Sequence, residues 1–486
     1  MRAVIVIDAA SSVPIHRQVY EAWRQAVLQG RFRRGERVPS TRDLADNLGL
    51  SRSTVTQAYE QLIAEGYLVA ARGAGTFVCR ELPEPLLPER PQPKRTQRAV
   101  APVQWSSWGA SVQQPDGIGQ RALGPALERS TAVVSFARWG PDLRQFPVAL
   151  WRRLLVRHLR EPSPAMLDYA DSQGHAVLRE QIANYVVRSR AARCTPEQVL
   201  IVNGSQQGIE LSARLLLERG DEVACEDPGY LGTRRTFDAY GARLRGTRVD
   251  SEGLVVGELG RKARLVYVTP SHQFPTGVSM SLTRRLELLA WARLNRAVII
   301  EDDYDSEYRY SGPPLPCLQG LSEDVPVIYC GTFSKMMFPG LRIGYLILPA
   351  HMLPVFGRAK WISDRHTALL EQAALADFIG EGHLERHVRR MRRIYGQRRA
   401  VLCDALSRHF GSAADVQGEA AGMHLLVRFA DLRMQQRAKG ARVQLPPTDC
   451  YYLQPSCAAP AHSEFLLGFA ALPEAAIEEG IRRLAK

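Results

Sequence analysis

Between Ser51 and Ile63 the apolar residues Val55, Ala58, Tyr59, Leu62 and Ile63 fall at i, i+3, i+4, i+7 and i+8, the buried stripe of one helix. Its other face carries Ser51, Arg52, Ser53, Thr54 and Thr56. Two helices are predicted upstream, one from about Pro14 to Gln29 and one starting after Pro39-Ser40, with Ser40 as cap and Asp43 at the third helical position. After Gly66, Tyr67–Ala70 and Thr76–Cys79 flank Arg72-Gly73-Ala74-Gly75, which predicts a glycine-tipped wing. From Glu81 to about Ser130 the periodicity stops, and Pro83, Pro85, Pro88, Pro91, Pro93 and Pro102 predict an extended spacer. From Val133 onward, short β-branched runs alternate with amphipathic helical stretches. Val199–Val202, Glu222–Cys225, Leu265–Val268, Ala297–Ile300 and Val327–Cys330 are the clearest strands. Strands separated by helices predict a mostly parallel sheet covered by helices. The expected division is residues 1–80, a linker over 81–130, and 131–486.

Helix, helix-turn-helix and wing together form the layout that places the third helix in a major groove. Short hydroxyls let such a helix approach the backbone, and an arginine reads guanine with two parallel bonds. A formal net charge of +13 and a pI near 9.5 suit a polyanionic partner. A GC-rich genome that favours arginine would give the same excess, since lysine supplies only six of the 63 basic residues. The eight cysteines are scattered without a close C-x-x-C pair, which argues against a zinc ribbon or a disulfide framework and for a reducing, cytoplasmic setting. No apolar run approaches the roughly 18 residues of a membrane helix, and the apolar stretch after Met1 is too short for a secretory signal.

The motifs Gly35-Glu36-Arg37-Val38-Pro39-Ser40-Thr41-Arg42-Asp43-Leu44-Ala45, Ser51-Arg52-Ser53-Thr54-Val55 and Gly73-Ala74-Gly75-Thr76-Phe77-Val78 resemble the GntR family of winged-helix regulators over Val13 to Val78. That resemblance implies double-stranded operator DNA as partner. It implies contacts from Arg42 and Arg52, support from Ser51, Ser53, Thr54 and Thr56, and a wing around Arg72 and Gly73 entering a minor groove.

The second chemical signal is Gly331-Thr332-Phe333-Ser334-Lys335, with Arg342 seven residues after the lysine. A lysine in an apolar pocket loses its proton and forms an imine with an aldehyde, and a nearby arginine grips phosphate. Aldehyde and phosphate on one small molecule describe pyridoxal phosphate. Asn203-Gly204-Ser205-Gln206-Gln207-Gly208 follows a strand and opens a helix, a natural seat for an anion. Glu301-Asp302-Asp303-Tyr304-Asp305 closes another strand, where a carboxylate points into the crevice of a parallel sheet. Tyr230, in Asp227-Pro228-Gly229-Tyr230, offers a ring for stacking.

These motifs resemble fold-type I aminotransferases from Val133 to the end. The likeness implies an α/β pyridoxal-phosphate-dependent transferase fold, a mostly parallel sheet plus a small C-terminal α/β subdomain, joined to an α+β winged helix-turn-helix domain. It implies an internal aldimine at Lys335 and a pyridine-nitrogen partner at Asp302, ahead of Asp303. Tyr304 would bond the ring hydroxyl and Tyr230 stack on the ring. Ser205, Gln206, Ser334 and Arg342 would hold the phosphate, and Tyr169 would reach the partner subunit's phosphate.

Two departures stand out. The family's Asn-Pro-Thr-Gly reads here His272-Gln273-Phe274-Pro275-Thr276-Gly277, and the arginine that takes the substrate carboxylate should fall at about Leu466. Its absence speaks against full transamination and leaves a half-reaction open. A GntR reader linked to an aminotransferase-like domain is the architecture of the MocR subfamily. Membership implies a domain-swapped homodimer in which pyridoxal phosphate, with or without an amino compound, is the effector, and RNA polymerase a further candidate partner. Vitamin B6 control, an active aminotransferase with an accessory reader, and a purely dimerising large domain are the competing readings.

Overall fold

The structure is a computed structural model that describes residues 7–8, 11–71, 73–83, 103–112, 133–312, 315–322, 324–453 and 463–486. Arg72 and most of the expected linker lie outside these residues. The chain divides into two compact units, residues 1–104 and 105–486.

The small unit packs three helices, α1 (Ile15–Leu28), α2 (Thr41–Leu48) and α3 (Arg52–Ala64), against a hairpin of β1 (Leu68–Ala71) and β2 (Gly75–Val78). Val19, Trp23, Leu44, Val55, Tyr59 and Leu62 meet in its core. Ile63, expected in the buried stripe, is instead 36% exposed, because it lies one step of rotation past Leu62 in the helix's last turn. Two caps set the helix starts. Ser40 Oγ accepts from the Asp43 amide at 3.1 Å, and Ser51 Oγ accepts from the Thr54 amide at 3.2 Å.

In the large unit β3 (Val134–Ser135) pairs with β14 (Val443–Gln444). Its main sheet contains β4 (Val199–Val202), β5 (Glu222–Asp227), β6 (Arg243–Asp250), β7 (Gly253–Leu254), β8 (Ala263–Val268), β9 (Val298–Asp303), β10 (Val327–Thr332) and β11 (Gly344–Ile347). The order is β4-β11-β10-β9-β8-β5-β6-β7, parallel from β10 through β6, with β11 antiparallel to both its neighbours. All five expected strands are present. Helices on both faces bury two apolar layers, one around Leu200, Val223, Ile300 and Leu346, the other around Val266, Leu288, Ile299 and Val327. A three-stranded antiparallel sheet of β12 (Ala414–Gln417), β13 (His424–Phe429) and β15 (Glu464–Gly468) forms the C-terminal part with the helices His383–Phe410 and Glu474–Leu484. No helix among the described residues is long and apolar enough to cross a membrane.

Candidate functional site

In the small unit, Arg42 and Arg52 open α2 and α3, are exposed, and have no hydrogen-bond or ion-pair partner among the described residues. Ser53 is exposed beside them, and Thr54 and Thr56 are half-buried. Ser51 is less free than expected. Its hydroxyl caps α3 and also meets Ser53 Oγ at 2.9 Å and Thr54 Oγ1 at 2.7 Å. Gly73 lies at the exposed tip of the wing.

In the large unit, strand ends and one hairpin build a cleft. The β10–β11 connection carries both Lys335 and Arg342. Lys335 Nζ donates to the Trp139 carbonyl at 2.8 Å. Burial holds this amine below the usual lysine range, opposed by the Asp305 and Asp302 carboxylates.

The acidic run at the end of β9 is sorted by strand alternation. Glu301 accepts from the amides of Leu318 and Gln319 and lies 3.6 Å from Arg285. Asp303 pairs with Arg190 at 2.7 Å and accepts from Tyr329 at 2.6 Å, so it is committed to the core. Asp302, pointing the other way, accepts from the Tyr267 hydroxyl through Oδ2 at 2.6 Å, while its buried Oδ1 has no partner among the described residues. Burial pushes the Asp302 carboxyl up to about 7.

The anion seat forms where β4 turns into the helix Ser205–Leu216. Gly204 has φ +78, and a Cβ there would lie 2.7 Å from an Arg342 guanidinium nitrogen. Only glycine lets that guanidinium close over the turn, where it donates to the Asn203 carbonyl at 3.0 Å. The amides of Ser205 and Gln206 stand in the first turn of that helix, where intrahelical acceptors are lacking. The Gln206 side chain is turned away to the Thr236 hydroxyl at 2.7 Å. Ser334 closes a small turn through Thr332 Oγ1. A cavity of about 290 Å³ borders Arg342 and Asn203.

Phe274 is the hub of the opposite wall. Its ring centroid lies 5.8 Å from Tyr230, 6.3 Å from Tyr304, 6.0 Å from Trp139 and 5.0 Å from Tyr451. Tyr304 meets His272 Nδ1 at 2.9 Å, and the same nitrogen lies 2.9 Å from Asp305 Oδ1. His272, Asp305 and His424 are buried together. Tyr169 stands apart from this cluster, 82% exposed and edge-on to His366.

Asp302 stands at the carboxyl end of β9, and Tyr304, Tyr230, Ser205, Gln206, Ser334, Lys335 and Arg342 lie in the segments that follow the carboxyl ends of β9, β5, β4 and β10. A buried amine, an orphaned carboxylate oxygen and an arginine over a glycine turn suit a planar ring bearing a phosphate. Tyr267, Trp139 and Asp305 were not singled out from the sequence. Tyr267 ends an apolar run that reads as pure core, and Trp139 sits in a stretch with no periodicity.

Residues 145–484 match the family model for aminotransferase class I and II, and residues 15–78 match that for bacterial regulatory proteins of the gntR family. The chain is 36% identical to the "Probable rhizopine catabolism regulatory protein MocR" of Rhizobium meliloti, across 99% of this chain and 95% of that one. It is 33% identical to the pyridoxine biosynthesis transcriptional regulator PdxR of Corynebacterium glutamicum, across 83% and 81%. Among solved structures, the α-aminoadipate aminotransferase LysN of Thermus thermophilus, complexed with N-(5'-phosphopyridoxyl)-L-leucine, superposes with a TM-score of 0.68 at 27% identity, covering 78% of this chain and 96% of that one. With a reader and an aminotransferase-like unit on one polypeptide, the chain belongs to the MocR-type GntR transcription regulators.

Proposed function

We propose that the large unit holds pyridoxal phosphate through the Lys335 amine and that its occupancy controls how the small unit grips double-stranded operator DNA. The observation that carries this reading is Asp302, buried with one carboxylate oxygen unpartnered in the cleft that also holds Lys335. A polar atom buried without a partner is costly, and a protonated ring nitrogen relieves it. Bound there, the cofactor supplies an electron sink and an attachment point for an amine.

The chain's own groups then take defined parts. Lys335, its proton affinity lowered by burial, offers a neutral amine. Asp302 would accept the ring nitrogen's hydrogen bond at Oδ1, Tyr304 would bond the ring hydroxyl, and Tyr230 would cover the ring. Ser205, Gln206, Ser334 and Arg342 take the phosphate. Tyr169, pointing away from its own cleft, serves that of a partner subunit in a domain-swapped homodimer. Arg42, Arg52, Ser53, Thr54, Thr56 and the wing around Gly73 contact the operator, with Ser51 fixing the start of α3. Residues 81–130 act as the tether, and the protein works in the cytoplasm. An effector shifts the reader only through its differential affinity for two arrangements of the dimer.

The complete set of Lys335, Asp302 and Tyr304 favours a retained half-reaction as a second reading, and buried Leu466 stands against full turnover. Titration with pyridoxal phosphate, followed by absorbance, tests the main reading. The wild-type chain is expected to develop a visible band that Lys335→Ala lacks; an identical spectrum for the two refutes it.

A further inference from the structure

The wall facing Lys335 is built by strand alternation in the C-terminal sheet. On β15, Phe465 and Leu467 enter the main core, while Leu466 between them joins Phe274, Tyr451 and Leu426. Leu426 sits directly across from Leu466 in the β13–β15 register. Trp139 packs against this group and ties its indole nitrogen to the Leu466 carbonyl at 3.4 Å. The same residue's carbonyl receives Lys335 Nζ. The amine therefore faces an apolar and aromatic box.

The electrostatics point the same way. The charges acting on Lys335 are the Asp305 and Asp302 carboxylates. His424, a basic ring that feels the Lys335 charge, is held by burial well below the usual histidine range. Arg342 is committed to the Asn203 carbonyl at the phosphate end. The segment 454–462, which lies outside the described residues, contains no lysine or arginine in its sequence. With Asp302 taken by the cofactor ring and Asp305 by His272, what remains for the effector is Leu466, Leu426 and the faces of Phe274, Tyr451 and Trp139, which favour an amine on an apolar body. A carboxylate brought here would be desolvated without a partner.

We infer that the effector read by this cleft is a primary amine with an apolar body and no carboxylate on the carbon that bears the nitrogen. The inference rests on the proposed cofactor site and narrows the class of ligand that joins it. Arg138, next to Trp139 in the chain, is exposed, and a carboxylate held by it would contradict the inference.

The test uses the full chain loaded with pyridoxal phosphate and two matched probe pairs, phenethylamine with phenylalanine and tyramine with tyrosine. Absorbance of the cofactor band and the thermal midpoint are both recorded. Each amine is expected to half-saturate at a concentration at least about tenfold below that of its amino acid. Leu466→Arg, provided it keeps a cooperative thermal transition, is expected to reverse the order. Equal or tighter binding of the amino acids by the wild type overturns the inference, as does tyrosine binding that Arg138→Ala abolishes. Amines that move neither readout overturn it as well. Failure of the cofactor reading is seen earlier and separately, as the absence of any band before a probe is added.

Discussion

Gly422 lies flat against His272, so close that a Cβ on the glycine would sit 1.8 Å from the imidazole Cε1. The backbone there has φ +82, a region that L side chains rarely adopt. Gly422→Ala therefore meets both strain and a clash. The ring that must move is the one that contacts Tyr304 and Asp305 at 2.9 Å each. The expected result is a thermal midpoint lowered by several degrees, together with weakened cofactor uptake. A variant with wild-type melting and wild-type uptake would contradict this packing.

Asp302 gives a pH-dependent prediction. Its carboxyl is raised from 3.8 to about 7, chiefly by burial, with the Tyr267 hydrogen bond opposing. A carboxyl with a raised folded-state value binds its proton more tightly when folded. Its contribution is fully present below the unfolded value and is lost as pH rises through the folded one. The cofactor-free wild type should therefore lose stability relative to Asp302→Asn between about pH 4 and pH 7, and the difference should level off above that. Thermal midpoints of the pair at unit pH steps from 4 to 8 check the sign. A wild-type midpoint that stays level with, or rises relative to, that of Asp302→Asn as pH increases rejects it.

What was legible in the sequence follows from how local each signal is. The five runs became strands because nearly every residue in them is buried on one face or the other, as the short continuous apolar runs of a parallel sheet require. Strand β6, Arg243–Asp250, was missed because its exposed and half-buried positions carry arginines that read as a loop. Lys335, Arg342 and the Gly204 turn were legible because each is a short motif at a strand end. The wall of the cleft was not, since Trp139 and Leu466 are 327 residues apart and meet only through the tertiary fold. The pairing of Asp303 with Arg190 across 113 residues was equally silent, yet it ties Asp303 to a guanidinium while Asp302 meets only the neutral Tyr267 hydroxyl among the described residues.

The proposed DNA contacts of Arg52 and Arg42 are of two kinds, and variants separate them. Arg52 opens the third helix with an unpartnered guanidinium, placed to read a base edge. Arg52→Ala is expected to weaken specific operator binding by roughly 1–3 kcal/mol while leaving non-specific binding nearly intact. Arg42, at the start of the preceding helix, is expected to act on phosphate, so Arg42→Ala lowers affinity for all sequences and reduces the salt slope by about 1. Gel-shift titrations at several salt concentrations distinguish the two. An Arg52→Ala chain that loses specific and non-specific binding equally would remove the base-reading assignment.

Ser51 provides the sharpest contrast between stability and recognition, because its hydroxyl already has work inside the protein. It accepts the Thr54 amide at 3.2 Å and meets Thr54 Oγ1 at 2.7 Å, leaving little capacity for a phosphate. Ser51→Ala should therefore cost about 1 kcal/mol of small-unit stability through loss of the helix cap. Ser51→Asp restores an acceptor for that amide and should recover the stability, while its charge repels the DNA backbone. Thermal unfolding and operator affinity, measured on both variants, should thus part company: stability falls and then returns, and affinity falls furthest in the aspartate variant. If the alanine variant melts like wild type yet binds DNA as weakly as the aspartate variant, the hydroxyl is a DNA contact and not a cap.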